Sequence, residues 1–158
     1  MPNSLTITVE GVPALIARLG RAVAVQTLVP PITRGVNEIR ATLATYPPPS
    51  GRPNPPRSDK QRRYLAMLGR MGLIPYRRTG NLGRSWVEDI QTSATGVVGT
   101  VGNSVASPTG FHYGPLVQGG DTQTTYHAGT WGTDQQAFDK HRQGILDDIG
   151  DAINSALG

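Results

Sequence analysis

The side chains best suited to catalysis or metal binding in this sequence are its three histidines and a few nearby carboxylates. His112 and His127 flank Asp121, and these residue types are common metal ligands. They lie in a segment rich in Gly and Thr, where no helical or short-range ligand spacing fixes their geometry. We therefore expect exposed loop histidines, with no bound metal and no cofactor. His141, in the last predicted helix, is expected at the boundary between core and surface.

Motifs of the well-defined enzyme classes are missing from the sequence. It contains no nucleophile-elbow pattern, phosphate-binding loop, dinucleotide fingerprint or zinc-protease helix. Its acidic pairs Glu88-Asp89 and Asp147-Asp148 are adjacent, which points them to opposite faces of a strand or separates them by about 100° on a helix. The sequence predicts a protein that is not an enzyme. A hydrolase using the two loop histidines is kept as an alternative that His127→Ala would test.

Length and composition predict one domain with extended arms. The chain has 158 residues, of which 37% are hydrophobic, 20 are Gly and 13 are Pro, and none is Cys. We expect no membrane segment and no targeting segment, because no long apolar run is present. We interpret 1–158 as a single domain in which 47–77 forms a Pro-rich and basic insertion.

Positive charge is concentrated in one window. Nine basic residues and one acidic residue lie between 52 and 84, so the rest of the chain is net acidic. Such a segment suits an acidic partner, either a protein surface or nucleic acid. The interleaved Tyr46, Tyr64 and Tyr76 are able to stack on bases. We expect a solvated or protein-contacting face, with a nucleic-acid-binding module using 52–84 as the alternative. The arginines predicted to contact a partner are Arg52, Arg57, Arg62, Arg63, Arg77, Arg78 and Arg84.

The N-terminal third predicts a strand and two helices. Apolar and polar residues alternate between 5 and 10, which is the period of a half-buried strand. From Val12 the apolar residues recur at helical spacing, and Pro30 and Pro31 are expected to break or kink that helix. An apolar stripe after the prolines predicts a second helix, and it comprises Ile32, Val36, Ile39 and Leu43.

A proline-rich arm and a basic helix are predicted next. Six prolines between 46 and 57 exclude a helix or a central strand, so this segment is expected to be polyproline II or irregular. Asp59 is placed to cap a short basic helix over 60–69, in which Tyr64 and two leucines share one face.

The second half of the chain predicts a hairpin, loops and a long helix. Strands at 86–92 and 97–102 flank residues suited to a tight turn, and 103–132 reads as loops with one or two short strands. Asp134 is expected to cap the final helix. Its apolar stripe comprises Phe138, Ile145, Leu146, Ile149, Ala152, Ile153, Ala156 and Leu157.

Together these elements predict an α+β fold, in which an antiparallel sheet carries the long N-terminal and C-terminal helices on one face. The Pro-rich arm and the loops are then free to reach neighbours. Phe111, Tyr126 and Trp131 lie outside any periodic core pattern, so we expect them to anchor an interface.

Two short segments resemble those of a known protein family. Residues 78–86, Arg-Thr-Gly-Asn-Leu-Gly-Arg-Ser-Trp, resemble a Thr-Gly-x-Leu-(basic)-(basic)-Ser-(apolar) segment that precedes the main hairpin in the tail-completion or tail-component family of long-tailed double-stranded DNA phages. Residues 113–120, Tyr-Gly-Pro-Leu-Val-Gln-Gly-Gly, are similar to that family's Tyr-x-x-(apolar)-(apolar)-Glu-x-Gly-Thr segment after the hairpin. The lead-in Val9-Glu10-Gly11 and the order of elements also match. The motif positions are Thr79, Gly80, Asn81, Leu82, Ser85, Tyr113, Val117, Gly119 and Gly120.

Three residues depart from the family pattern. Gly83 stands where a basic residue is usual, Gln118 where Glu is usual, and Asp121 follows the glycines. Within the first motif, Thr79 is able to cap a helical turn and Leu82 is expected to turn inward, and a direct contact role is equally open. In the second motif we expect Tyr113, Leu116 and Val117 to pack in the core and Gly119-Gly120 to permit a sharp turn.

The resemblance implies a structural virion protein of the head-tail junction, or neck. Such a protein forms a ring, of six copies in the family, between the connector and the tail tube. Its implied partners are copies of itself, the connector or adaptor protein, the tail tube protein and, by possible contact, packaged DNA. The implied location is the virion, and the bacterial cytoplasm during assembly. Whether the ring acts as stopper, terminator or completion protein stays open.

Overall fold

The computed structural model describes residues 3–8, 14, 17, 20–47, 58–71, 80–93, 96–124 and 127–157. Helices and one antiparallel sheet make up the described part of the chain, so the predicted α+β class is confirmed. The elements in chain order are β1 (Asn3–Thr8), α1 (Arg21–Ala44), α2 (Asp59–Arg70), α3 (Asn81–Arg84), β2 (Trp86–Ser93), β3 (Gly96–Asn103), α4 (Gly114–Gln118) and α5 (Asp134–Leu157).

The sheet has three antiparallel strands in the order β1-β3-β2. The predicted hairpin is confirmed as β2 and β3, whose register pairs Trp86 with Asn103 and Ser93 with Gly96. The opening strand is confirmed as β1, which runs along the other side of β3. Along β3 every second residue is buried, because one face of the sheet is covered by α1.

Of the expected break or kink at Pro30 and Pro31, the break is wrong, because α1 continues through both prolines. Each proline removes a backbone donor, which costs a helix interior about 3 kcal/mol. Leu28 and Ile32, on either side of the prolines, are fully buried in the core. Burial of this continuous stripe offsets the lost hydrogen bonds. The chain leaves helical geometry earlier, at Gly20, whose φ of 78° is a conformation that favours glycine.

Close packing of α1 on the sheet depends on Gly99 in β3. A Cβ atom at Gly99 would overlap Val36 Cγ2 and lie 2.9 Å from Ile32 Cγ2. Both approaches are far closer than van der Waals contact, so a side chain here would push the helix away. Glycine is therefore the residue that lets the helix stripe reach the strand backbone.

The C-terminal helix α5 packs along α1 and shares the same core. Ala137 and Ile145 are buried there, and Ile145 lies directly against Gly35 of α1. The predicted stripe was wrong at two positions, since Leu146 is 51% exposed and Leu157 is 36% exposed. Leu146 follows Ile145 by one residue, which turns it about 100° away from the core.

Capping of α5 and α2 differs from the prediction by one residue. Thr133 Oγ1 accepts from the backbone N–H of Gln136 at 3.1 Å, and Gln136 Oε1 accepts from the N–H of Thr133 at 3.0 Å. This capping box makes Thr133 the cap, not Asp134. Ser58 takes the same role for α2, because its Oγ accepts from the N–H of Gln61 at 3.2 Å.

The region predicted as loops with short strands has a different content. It holds the short helix α4 and one isolated β-bridge between Ala106 and His112. The predicted helix before Gly20 is described at Ala14 and Ala17, which are helical, and most of the Pro-rich arm lies outside the described residues. Within the described part of the chain, no helix is long and apolar enough to cross a membrane.

Candidate functional site

The two motif segments come together in a second buried cluster beside the main core. Leu82 from the first motif and Val117 from the second are both buried, and Val105 lies between them. The half-buried rings of Tyr46, Tyr113 and Trp131 pack around these three residues. The hairpin β2-β3 connects the two motifs in sequence, so the cluster closes the hairpin at its base.

Asn103, at the end of β3, links the motif segments by hydrogen bonds. Its side chain is 2% exposed, and its Nδ2 donates to the carbonyl oxygen of Leu82 at 2.9 Å. Its Oδ1 accepts from the backbone N–H of Val105 at 2.9 Å. Both ends of the buried amide are therefore satisfied, which makes the junction of hairpin and first motif specific.

Gln118 likewise links the second motif to its neighbours by hydrogen bonds. The side chain is 1% exposed, its Oε1 accepts from Trp86 Nε1 at 3.1 Å, and its Nε2 donates to the carbonyl oxygen of Leu43 at 2.9 Å. One amide thus joins α4 to the hairpin and to the end of α1. An ionised Glu has no donor for Leu43, so the Gln at this position has a structural reason.

Gly83, which also departs from the family pattern, is explained by packing. A Cβ atom there would lie 2.6 Å from the carbonyl oxygen of Ala44 and 2.8 Å from Tyr46 Cε2. The backbone N–H of Gly83 donates to the hydroxyl of Tyr46 at 3.2 Å. The first motif is therefore seated against the end of α1, where no side chain would fit.

The remaining described motif residues shape the two segments. Gly80 begins α3 with a φ of 77°, and Ser85 ends it with Oγ donating to the carbonyl of Asn81 at 2.7 Å. In the second motif, the backbone N–H of Gly120 donates to Asp134 Oδ1 at 2.7 Å, which ties the turn after α4 to α5. The predicted inward positions of Leu82, Tyr113 and Val117 agree with the cluster, as does the turn at Gly119 and Gly120. Thr79 lies outside the described residues.

Aromatic residues predicted to contact partners fall into two groups. Phe111 is 57% exposed, as a contact residue requires. Trp131 is half-buried and packs edge-on against Tyr46, with ring centroids 5.0 Å apart and planes at 71°. This contact occupies Tyr46, which was one of the tyrosines considered for base stacking. Tyr126 lies outside the described residues.

The structure describes three of the seven predicted contact arginines. Arg62 and Arg63 are exposed on α2, where Arg62 also pairs with Asp59 at 3.4 Å. Arg84 is exposed on α3, and its Nη2 donates to Asn81 Oδ1 at 3.1 Å. The others lie outside the described residues, and they are Arg52, Arg57, Arg77 and Arg78. Partner contact by these arginines stays a prediction.

The loop histidines do not form a cluster with metal-ligating groups. His112 is exposed, while His127 is half-buried, and burial lowers the pKa of His127 below its ordinary value of 6.5. Among the described residues no group of three or more His, Cys, Asp or Glu side chains is arranged to hold a metal ion.

His141 makes a contact that sequence reasoning missed. Its Nε2 lies 2.8 Å from Thr42 Oγ1, and its Nδ1 lies 3.2 Å from Glu38 Oε2. The order of hydroxyl, imidazole and carboxylate is that of a nucleophilic triad. The hydroxyl, however, projects from the last turn of α1, where backbone N–H groups are engaged in the helix and do not form an oxyanion hole. We interpret the three residues as a polar tie between α1 and α5.

A shallow cavity of about 220 Å³ opens beside this tie, between the end of α1 and the start of α5. The buried amide of Gln118 contributes to its wall, and Lys140 lies at its rim. Among the described residues that line the cavity, Lys140 is the only one with a titratable side chain.

No protein family, curated protein or solved structure matches this chain.

Proposed function

We propose that this chain is a structural virion protein of a long-tailed phage, which forms a ring at the head-tail junction and joins the connector to the tail tube. Its role is assembly, with no catalytic step. Copies of the chain contact one another, the connector or adaptor protein and the tail tube. It acts in the virion after assembly in the bacterial cytoplasm.

The observation that carries this proposal is the convergence of the two motif segments. They are separated by the hairpin in sequence, yet Leu82 and Val117 meet in one cluster that Asn103 and Gln118 tie to the hairpin and to α1. A motif pair that recurs for structural reasons is expected to meet in this way. Motif residues that pack against each other, in the expected order of helices and strands, support a resemblance that covers most of the chain.

A ring requires only matching surfaces on successive copies. Exposed apolar side chains supply material for such surfaces, since large exposed apolar patches on soluble domains commonly mark interfaces. Those on the described surface include Phe111 in the loop after β3, Val87 in β2 and Leu146 in α5.

Removal of the gene from a phage genome tests the proposal. We expect separate filled heads and complete tails, and we expect the purified chain added to such a lysate to restore joined, infectious particles. Normal numbers of joined particles without the chain would contradict the proposal. Binding of unrelated duplex DNA, weakening with salt, would favour the nucleic-acid module instead.

A further inference from the structure

Helix α2 carries an exposed apolar line. Leu65 and Leu68 are half-buried on one side of the helix. On another side, Tyr64, Met67 and Met71 are 56%, 43% and 62% exposed. Met71 follows the last residue of α2, and its backbone N–H still donates to the carbonyl oxygen of Met67 at 3.0 Å. The spacing of three and four residues therefore places the three side chains in one line. Tyr and Met are enriched in protein interfaces, so this line, which we call the α2 ridge, is suited to protein contact.

A basic edge runs beside the α2 ridge. Arg63 and Arg70 are seven residues apart, which is two helical turns, and both are exposed. On a helical wheel followed from the N-terminus to the C-terminus, Arg63 and Arg70 lie on the side of the ridge that is reached just before it. Arg62 lies farther round and is paired with Asp59.

The C-terminal half of α5 presents a surface with the opposite charge. Leu146 and Leu157 are exposed and stand eleven residues apart, which places them on one line along the helix. Gly150 lies between them, and a Cβ atom there would have no neighbour within 4 Å. Asp147 and Asp151 are exposed on the adjoining edge, and no basic residue occurs between 143 and 157. We call this surface the α5 stripe.

We propose that the α2 ridge of one copy docks on the α5 stripe of a second copy of this chain. This contact repeats between successive copies around the ring, and this part of the inference rests on the proposed function. Both surfaces combine an apolar line with one charged edge, and the charges are opposite. A chain that carries both complementary surfaces on different helices associates head to tail, which is the arrangement that closes into rings.

The positions of the charged edges also define the direction of the contact. The arginines precede the α2 ridge in the direction of winding, and the aspartates follow the α5 stripe. In parallel helices, flanking positions of this kind meet across the interface, as the g and e positions of a parallel coiled coil do. The two helices therefore cross parallel, which brings Arg63 and Arg70 to Asp147 and Asp151.

Duplex DNA is the other acidic partner for α2, but the ridge favours a protein. Phosphates would satisfy Arg63 and Arg70, and they would leave Tyr64, Met67 and Met71 without an apolar partner. The α5 stripe offers both Leu side chains and carboxylates. Docking removes this apolar surface from water, and that burial adds to the charge attraction.

Charge reversal tests the contact. Sedimentation of the full chain at low salt is expected to show concentration-dependent association of the wild type. Arg63→Glu with Arg70→Glu, and separately Asp147→Arg with Asp151→Arg, should each weaken association by more than about tenfold. A chain with all four reversals should associate again, because the charges are complementary once more. Arg62→Glu with Asp89→Arg is the control, since both residues are exposed outside the two surfaces.

Disulfide cross-linking gives a second readout, because the chain has no cysteine of its own. A mixture of a Met67→Cys chain and a Gly150→Cys chain should form the mixed dimer in preference to either homodimer. A wild type that stays monomeric, reversals that leave association unchanged, or homodimers in place of the mixed dimer would each overturn the contact. Binding of duplex DNA that is abolished only by the arginine reversals would overturn it in favour of DNA. Association that persists in all variants would show that copies associate through a different contact, and the proposed function would be unaffected.

Discussion

Replacement of the buried Gln118 by Glu gives a sharp test of how the motif segments are held together. The substitution keeps the shape of the side chain, and one carboxyl oxygen still accepts from Trp86 Nε1. When ionised, the carboxylate has no proton for the carbonyl oxygen of Leu43, which now lies 2.9 Å from Nε2. The protonated acid restores both hydrogen bonds. Gln118→Glu is therefore expected to be destabilised at neutral pH and nearly normal in acid.

The magnitude follows from two bounds. An unsatisfied buried carbonyl costs about 1–3 kcal/mol. Keeping the new carboxyl protonated at pH 7, against an ordinary pKa of about 4.3, costs about 3.7 kcal/mol at 1.36 kcal/mol for each pH unit, which sets the upper limit. We expect a loss of about 1–4 kcal/mol in the free energy of unfolding at pH 7. For a chain of this length each kcal/mol lowers Tm by about 2–4 °C.

The pH dependence gives the sign. Burial raises the pKa of the new carboxyl in the folded state, so the folded chain binds more protons than the unfolded chain, and stability relative to wild type falls as pH rises above about 4.3. Thermal unfolding of both proteins between about pH 4 and pH 8 measures this difference. The exposed Gln136→Glu is the matched control, and it should change little because Glu also completes the capping box. A Gln118→Glu chain that melts like wild type at pH 7, or a deficit that does not change with pH, would refute the role of this amide.

Three further predictions concern the core and the loop. Gly99→Ala should lower the free energy of unfolding by about 1–3 kcal/mol, because its Cβ would displace Val36 and Ile32. Gly144→Ala, on the open side of α5, should raise it by about 0.5–1 kcal/mol, and denaturant titration compares the two variants. Ile145→Ala should cost about 2–5 kcal/mol and its neighbour Leu146→Ala far less, and equal losses would show that α5 is turned differently. Burial lowers the pKa of His127, so as pH drops the unfolded chain binds this proton before the folded chain does, and the free energy of unfolding should fall as pH drops through 6.5. His127→Gln should reduce this pH dependence, and an unchanged pH dependence would contradict the burial of His127.

Elements with a strong hydrophobic period were predictable from the sequence. The hairpin, β1 and the long C-terminal helix follow from alternation or helical spacing alone. The stripe Ile32 to Leu43 was also visible, but local proline chemistry argued for a break before it, and only the burial of Leu28 together with that stripe explains a continuous α1. Leu146 was misassigned because a broad stripe of apolar residues does not show which side faces a partner helix.

The candidate site was predictable only in part. The motifs marked the segments that meet, including the inward Leu82 and Val117. Asn103 and Gln118 were missed as links, since each bonds a carbonyl far along the chain, that of Leu82 for Asn103 and one 75 positions away for Gln118. A signal for Gln118 was present, because an amide stood where the resembling family has an acid. The polar tie of His141 to Thr42 similarly depends on the packing of two helices that sequence spacing does not define.

The most direct test of the proposed function is electron cryomicroscopy of tailed particles from the genome that encodes this chain, with a compact tag fused to its C-terminus. We predict tag density in a ring between connector and tail tube, and density into which α1, α5 and the three-stranded sheet fit. Particles whose neck lacks the tag, or that carry it elsewhere in the virion, would contradict the assignment to the head-tail junction.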